Sequence, residues 1–299
     1  MVSSDELDKI VRAGKIISST LKYASSVVKP GVPVIAVCER LERYIISLGG
    51  ELAFPCNVSI NDIAAHYTSP LNDTSIIPEN SIVKIDVGAH VDGYIADAAV
   101  TFCFNSEFID LMEASKAALE RAIYAIKPGV YIRQVSRIIE NTIKSYGFKP
   151  IRNLSGHLMK RYLLHGGKSI PNVSSSYDEV FLEGEVYAIE PFATNGAGYV
   201  EDTSEVYIYS FSKMKGFKSS FEKKVLKKIR SRFRGLPFSE RWLVNLIPPP
   251  KIKVVLEKMV SKGALHSYPV LRDANGGMVS QAEHTIIVLR DGAMIVTGE

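Results

Sequence analysis

Two aspartates lie where a β-hairpin should be apolar. The stretch KIDVGAHVDGYIADAA, residues 84–99, is rich in Ile, Val and Ala yet carries Asp86 and Asp97, acids that strands usually avoid. Asp92-Gly93 is a strong signal for a two-residue turn. That turn makes Ile85 face Val100, Val87 face Ala98 and Ala89 face Ala96, which is one wholly apolar face. On the other face Asp86 pairs with Ala99, and Gly88 with Asp97. The two carboxylates are then diagonal neighbours, roughly 7–8 Å apart at Cα, with small residues beside them. A one-residue bulge would send Asp97 to the opposite face. Carboxylates this close repel unless a cation lies between them or one holds a proton. A bridging divalent cation and a proton-sharing acid/base pair both fit, and the bland reading is a solvent-facing hairpin with inert acids.

Other residues weigh on that choice. SGHLMKRYLLHGGKSIP (155–171) places His157 after Gly156 and His165 before Gly166-Gly167. AIEPFAT ends an apolar strand on Glu190, and QAEHTIIV sets Glu283 in another. Four carboxylates and one imidazole in apolar settings form an oxygen-rich donor set. It suits Mn, Fe, Co or Zn ions, and five such residues suffice for two ions when carboxylates bridge. A closed structural zinc site would instead use Cys and His.

The elements that must position these groups are legible from periodicity and punctuation. Ser3 or Ser4 caps a first helix that ends at KPGVP (29–33), and a second stops at Gly49-Gly50. After the hairpin, SEFIDLMEASKAALERAIYAIKPG and IRQVSRIIENTIKSYG read as helices closed by Pro128-Gly129 and Gly147. Strands follow at 185–194, 204–210 and 282–289, the last turning at Asp291-Gly292. Helices and a hairpin followed by helices and strands give an α/β (α+β) class with a hint of two similar halves. Residues 213–270 interrupt the second half as a mostly helical insertion.

Of 299 residues, 46% are hydrophobic and 23% charged, an ordinary globular balance. No stretch approaches the ~20 apolar residues of a membrane span, and charge interrupts the N-terminal segment, unlike a signal peptide. Cys38, Cys56 and Cys103 are odd in number and widely spaced, which fits core residues in a reducing compartment. A cytosolic (cytoplasmic) chain is expected. Its net charge of +4 is local: residues 212–234 carry +9, leaving −5 elsewhere. That segment, with Phe211, Phe217, Phe221 and Phe233 interleaved, reads first as a solvated helical cap with buried phenylalanines. The functional alternative is a weak, salt-sensitive contact with ribosomal RNA.

Asp86, Asp97, His157, Glu190 and Glu283, in that order, resemble the metal ligands of the pita-bread metallopeptidases. The flanks NDIAAHYTSP, KIDVGAHVDGYIADAAVTF, LSGH with LHGGKSIPN, IEPFATNGAGYV and QAEHTIIV are similar to type 2 methionine aminopeptidases in their shorter, archaeal form. The insertion between Glu190 and Glu283 is the hallmark of that type, and the resemblance covers essentially the whole chain. It departs at Leu158-Met159, where a small residue usually follows the histidine.

The resemblance implies a pita-bread fold, a pseudo-two-fold antiparallel sheet flanked by helices. Residues 1–212 with 271–299 would form the catalytic domain and 213–270 the inserted basic subdomain. It also implies two divalent metal ions per chain. Asp97 and Glu283 would bridge them, with Asp86 mainly on one and His157 with Glu190 on the other. The implied reaction removes the initiator methionine from nascent polypeptide N-termini whose second residue is small, using a metal-bridging hydroxide. Glu190 would accept the proton of the attacking water and pass it to the leaving nitrogen. His66 and His165 match histidines that contact substrate near the scissile bond, in catalytic and substrate-binding roles. Phe54 and Tyr268 match substrate-binding positions of the methionine pocket, and Leu164 is a weaker candidate. His90 and His284 have no match and read as structural. A monomer is expected. Proline-directed relatives, such as prolidase or aminopeptidase P, share the five ligands but usually carry a large N-terminal domain. A non-catalytic RNA- or protein-binding relative would have lost ligands, and all five are present here.

Overall fold

The computed structural model describes residues 2–298. The chain opens with helices α1 (Ser4–Val27) and α2 (Val34–Ser47). Ser3 caps α1: its hydroxyl accepts from the Glu6 N–H, and the Glu6 carboxylate accepts from the Ser3 N–H at 2.8 Å, which satisfies two orphan donors at once. Strands β1 (Asn57–Ile60) and β2 (Ile63–Ala65) lead to the hairpin of β3 (Ile82–Val91) and β4 (Tyr94–Cys103). Helices α3 (Ile109–Ala125) and α4 (Ile132–Ser145) follow. Next come β5 (Ser155–Met159), β6 (Val186–Ile189), β7 (Phe192–Thr194) and β8 (Val200–Phe211). Helices α5 (Ser220–Phe233) and α6 (Ile252–Ser261) precede β9 (Leu265–Asp273), β10 (Val279–Gln281), β11 (His284–Leu289) and β12 (Gly292–Ile295). Four shorter strands complete the ladders. No helix among the described residues is long and apolar enough to cross a membrane.

The hairpin has the register that its turn dictates. Asp92 and Gly93 both adopt positive φ, 51° and 85°, as a primed two-residue turn requires. Asp86 pairs with Ala99 and Gly88 with Asp97, and the ladder runs from Val91–Tyr94 to Ile82–Cys103 without a bulge. The opposite face, with Ile85, Val87, Ala89, Ala96 and Ala98, packs beneath α1 and α2 against Ala13, Ile17, Leu41 and Ile45. Burying each of the Ile, Val and Leu side chains contributes roughly 1.5–3 kcal/mol, so a one-residue slip is strongly disfavoured. The second half repeats the plan. Helices α3 and α4 cover β5, β6 and β11, burying Leu119, Ile139, Ile143, Leu158, Tyr187 and Ile286 together. His157 on β5 pairs with Ala188 on β6, and His284 on β11 pairs with Ile189.

The expected single sheet is four hydrogen-bonded sheets, and three of them meet at a seam between β4 and residues 281–285. The Glu283 N–H donates to the Ala99 carbonyl at 3.0 Å, and the Ala99 N–H to the Glu283 carbonyl at 3.4 Å. A threonine clasp flanks this pair on each side. The Thr285 hydroxyl accepts from the Asp97 N–H and donates to the Asp97 carbonyl, both at 2.7 Å. The Thr101 hydroxyl donates to the Gln281 carbonyl at 2.6 Å and accepts from its N–H at 3.0 Å.

The stretch 213–270 differs in part from its helical expectation. It holds α5 and α6, but it also holds a two-residue strand, Phe238–Ser239, on β8 and the first residues of β9. A boundary at 270 therefore falls inside β9, which pairs with both β8 and β2. The segment has a core of its own, including Phe217, Val225, Leu226, Ile229 and Phe233. Lys223, Lys224, Lys227 and Lys228 are exposed. Of the four phenylalanines, Phe217 and Phe233 are buried, Phe211 packs on the same core and Phe221 is exposed.

A buried ion pair fastens this segment to the helical layer. Arg241 forks onto Glu42 of α2 at 2.9 and 3.2 Å, and it also donates to the Ser69 carbonyl and the Thr68 hydroxyl. Trp242 Nε1 and the Cys56 N–H complete the Glu42 shell. Removing one partner strands a buried charge, so Arg241→Met should cost about 3 kcal/mol or more, read as a lower urea midpoint. Glu42→Gln in the same chain should recover part of that loss. An unchanged midpoint for Arg241→Met alone would show that the pair does not fasten the segment.

Candidate metal centre

All five predicted ligands come together at one cavity of about 440 Å³. Asp86 and Asp97 arrive from the hairpin, Glu283 from the seam, His157 from β5 and Glu190 from the turn after β6. His157 Nε2 lies 3.7 Å from Asp97 Oδ2 and 3.6 Å from Glu190 Oε1. One ligand atom each of Asp97, His157 and Glu283 falls within 4.8 Å of the others, and all three residues are buried. Seam geometry explains the convergence: Ala99 faces Glu283 across backbone hydrogen bonds, so Asp97, two residues earlier on the same face, is brought beside it.

Burial dominates the electrostatics. It raises the Asp86 carboxyl to about 7. It pushes Asp97, Glu190 and Glu283 well above the usual carboxylate range, and neighbouring carboxylates push them further: Asp86 and Glu190 act on Asp97, Asp86 on Glu190, and Asp97 on Glu283. Burial lowers His157 to about 3, with the nearby His165 adding to the effect, so its imidazole is neutral and keeps a lone pair. Asp86 Oδ1 and Asp97 Oδ1 are buried without a hydrogen-bond partner. Crowded acids, a neutral imidazole and orphaned oxygens are what a divalent cation would satisfy.

The histidines flank the acids. The His66 backbone is left-handed, with φ of 64°, a conformation that a non-glycine residue adopts only when its surroundings hold it. Its Nδ1 lies 3.1 Å from the Pro269 carbonyl. A carbonyl only accepts, so Nδ1 carries the proton and Nε2 is a bare acceptor. Burial lowers its pKa to about 4. The His165 ring meets His157 edge-on at 4.6 Å. Tyr268 faces His66 at 5.6 Å, and its hydroxyl is 3.1 Å from Ser210 Oγ. Phe54 and Leu164 line the same cavity. Gly88 makes room for the phenylalanine, since a Cβ there would lie 2.1 Å from Phe54 Cε1. Leu158 packs into the core under α3 and α4, and Met159 joins Phe54 and Leu164 in a cluster behind the cavity, so both large side chains after His157 are accommodated. His90 Nδ1 accepts from the Gly93 N–H, and His284 Nδ1 meets Thr297 Oγ1, which are structural contacts.

Three residues near the site had no part in the sequence reading. His266 packs edge-on against Tyr268 at 4.6 Å. Lys84 is fully buried and donates to the Asn61 carbonyl at 2.7 Å, with burial lowering its pKa to about 7. Gln281 reaches Glu190 and Glu283. Each lies two residues before a predicted site residue, so strand alternation was the available signal.

Comparison with known proteins agrees with this geometry. The model of metallopeptidase family M24 matches residues 8–228. The chain belongs to metallopeptidase family M24. It is 45% identical over 294 residues to a methionine aminopeptidase of Thermococcus kodakarensis, covering 98% of this chain and all of that one. The crystal structure of a Thermotoga maritima methionine aminopeptidase matches with a TM-score of 0.73 at 25% identity, over 99% of this chain and 98% of that one. A thermophilic Arx1 matches with a TM-score of 0.88 at 20% identity, over 100% and 92%, a likeness of fold. The pita-bread fold expected from the sequence is therefore the fold observed.

The acids give this M24 chain a pH signature. Raised carboxyl pKa values mean that the folded, chelated chain holds protons more tightly than the unfolded one, so stability falls as pH rises. His157 and His66, with lowered values, act in the opposite sense below about 6.5, and Lys84, lowered to about 7, acts in the opposite sense above that. A bound cation displaces the protons of the acids alone, so the Tm gained on adding Mn²⁺ to chelated protein should grow as pH rises towards about 7, where Asp86 loses its proton. A gain that is flat or falling over that rise would contradict the burial of these acids.

Proposed function

We infer that the chain is a metal-dependent aminopeptidase that removes the N-terminal methionine from polypeptides with a small second residue. The carrying observation is the convergence of two buried acids, Asp97 and Glu283, two half-buried ones, Asp86 and Glu190, and a neutral imidazole on a cavity with an apolar wall. It occurs in a chain 45% identical, end to end, to a methionine aminopeptidase. Asp86, Asp97, His157, Glu190 and Glu283 would hold two divalent ions of Mn, Fe, Co or Zn. When bound, such ions lower the pKa of water and polarise a carbonyl.

The chain's own groups do the rest. Glu190 takes the proton of the attacking water and returns it to the leaving nitrogen. His66, with Nδ1 committed to Pro269, offers Nε2 as an acceptor to the N–H of the scissile peptide. It does not suit the developing oxyanion. His165, whose ring neighbours His157 at the cavity, would donate to the carbonyl oxygen. Phe54, Leu164 and Tyr268 form the wall for the unbranched, polarisable methionine side chain.

Met-Ala-Ser should be cut and Xaa-Pro peptides left intact, with a chelator abolishing the activity. Replacing both Asp97 and Glu283 by Ala should lower kcat/KM on the order of 10³-fold or more. Cleavage of Xaa-Pro peptides alone would favour the proline-directed reading, and full activity of the double variant would remove the metal centre from the mechanism.

A second reading concerns α5. Lys223, Lys224, Lys227 and Lys228 are exposed and form no ion pair among the described residues, while Val225, Leu226 and Ile229 face the core. This supports weak ribosome affinity through phosphate contacts. Changing the four lysines to Glu should reduce co-sedimentation with ribosomes at low salt, and unchanged co-sedimentation would end this reading.

A further inference from the structure

We propose that Gln281 is a positioning residue that sets the Glu190 and Glu283 carboxylates for the ion, and that Thr101 fixes it in place. The inference rests on the metal-centre reading above. Gln281 is 1% exposed. Its Nε2 lies 3.4 Å from Glu190 Oε2 and 3.3 Å from Glu283 Oε2. An amide NH₂ has two N–H groups, which these two acids share with Asp86, whose carboxylate the same side chain also stabilises. Taking Oε2 of Glu190 leaves Oε1 on the His157 side, where it stands 3.6 Å from Nε2. One neutral side chain thus holds both carboxylates by one oxygen each and leaves the other oxygen to the ion.

The neutrality matters. A Lys or Arg at this position would neutralise the acids and compete with a cation. A carboxylate would add to a cluster already crowded with negative charge. An apolar residue would leave one more acceptor on each acid without this partner. Only an uncharged donor orients the acids without displacing the ion. The aim of the side chain is set by its backbone, which Thr101 holds by both N–H and carbonyl and which pairs with Phe192 across the ladder. Thr101 itself touches no predicted ligand through this clasp, so its effect on the ion passes through Gln281.

The test is titration calorimetry of chelator-stripped protein with Mn²⁺ alone, with Tm followed in parallel. Wild-type protein that binds no Mn²⁺ would defeat the metal-centre reading itself, a failure distinct from that of the present proposal. Gln281→Met keeps the length and removes the donor, and should weaken Mn²⁺ binding about 10- to 100-fold. Thr101→Val should weaken it in the same sense, Thr101→Ser should restore it, and the Gln281→Met/Thr101→Val pair should lose less than the sum of the two. If Gln281→Met does not fold, the Thr101→Val and Thr101→Ser pair decides. Affinity within about twofold of wild type in either Gln281→Met or Thr101→Val, or a loss that Thr101→Ser fails to rescue, overturns the proposal.

Discussion

The backbone pair between Ala99 and Glu283, with a threonine hydroxyl clasping the chain on each side, holds the two halves of this molecule in register. Each half is complete as a packing unit, a hairpin or sheet beneath two helices. Neither half alone assembles the five groups. The seam does so, and it uses bonds between backbone amides, carbonyls and hydroxyls, none of which titrates. That choice answers an electrostatic problem. Four clustered carboxylates repel one another, and a junction built from ion pairs would have to compete with them for charge. Neutral hydrogen bonds hold the acids together whatever their protonation.

Much of this was legible in the sequence. The dipeptide Asp92-Gly93 sets the hairpin register, and with it the shared face of Asp86 and Asp97, because a two-residue turn admits one pairing. Ser3, Pro33 and Gly147 punctuate helices by local stereochemistry. The spacing of His157 and His165 around glycines, and the acids ending apolar strands, pointed to a buried polar centre before any packing was known.

The rest depends on tertiary approach. Residues 97–101 and 281–285 are far apart in sequence and share no local pattern that says they will lie side by side, so the clasps of Thr101 and Thr285 carry no signature. A glutamine two residues before a glutamate looks like any polar position in a strand, and its value appears only when both acids are seen within reach of it. The tautomer of His66 follows from the Pro269 carbonyl, a partner 203 residues away. Composition alone cannot show that β9 pairs with β8 and β2, which both precede residue 213.

The cavity has walls of two origins. The groups that would carry the reaction stand on the seam and on the paired halves, whereas Tyr268 lies on β9 and Pro237, another wall residue, lies inside the inserted segment. One side of the cavity therefore stands apart from the strands that hold the acids, while Phe54 and Leu164 close the other side beside them. Changes at Pro237 can reshape the first side without moving a single acid.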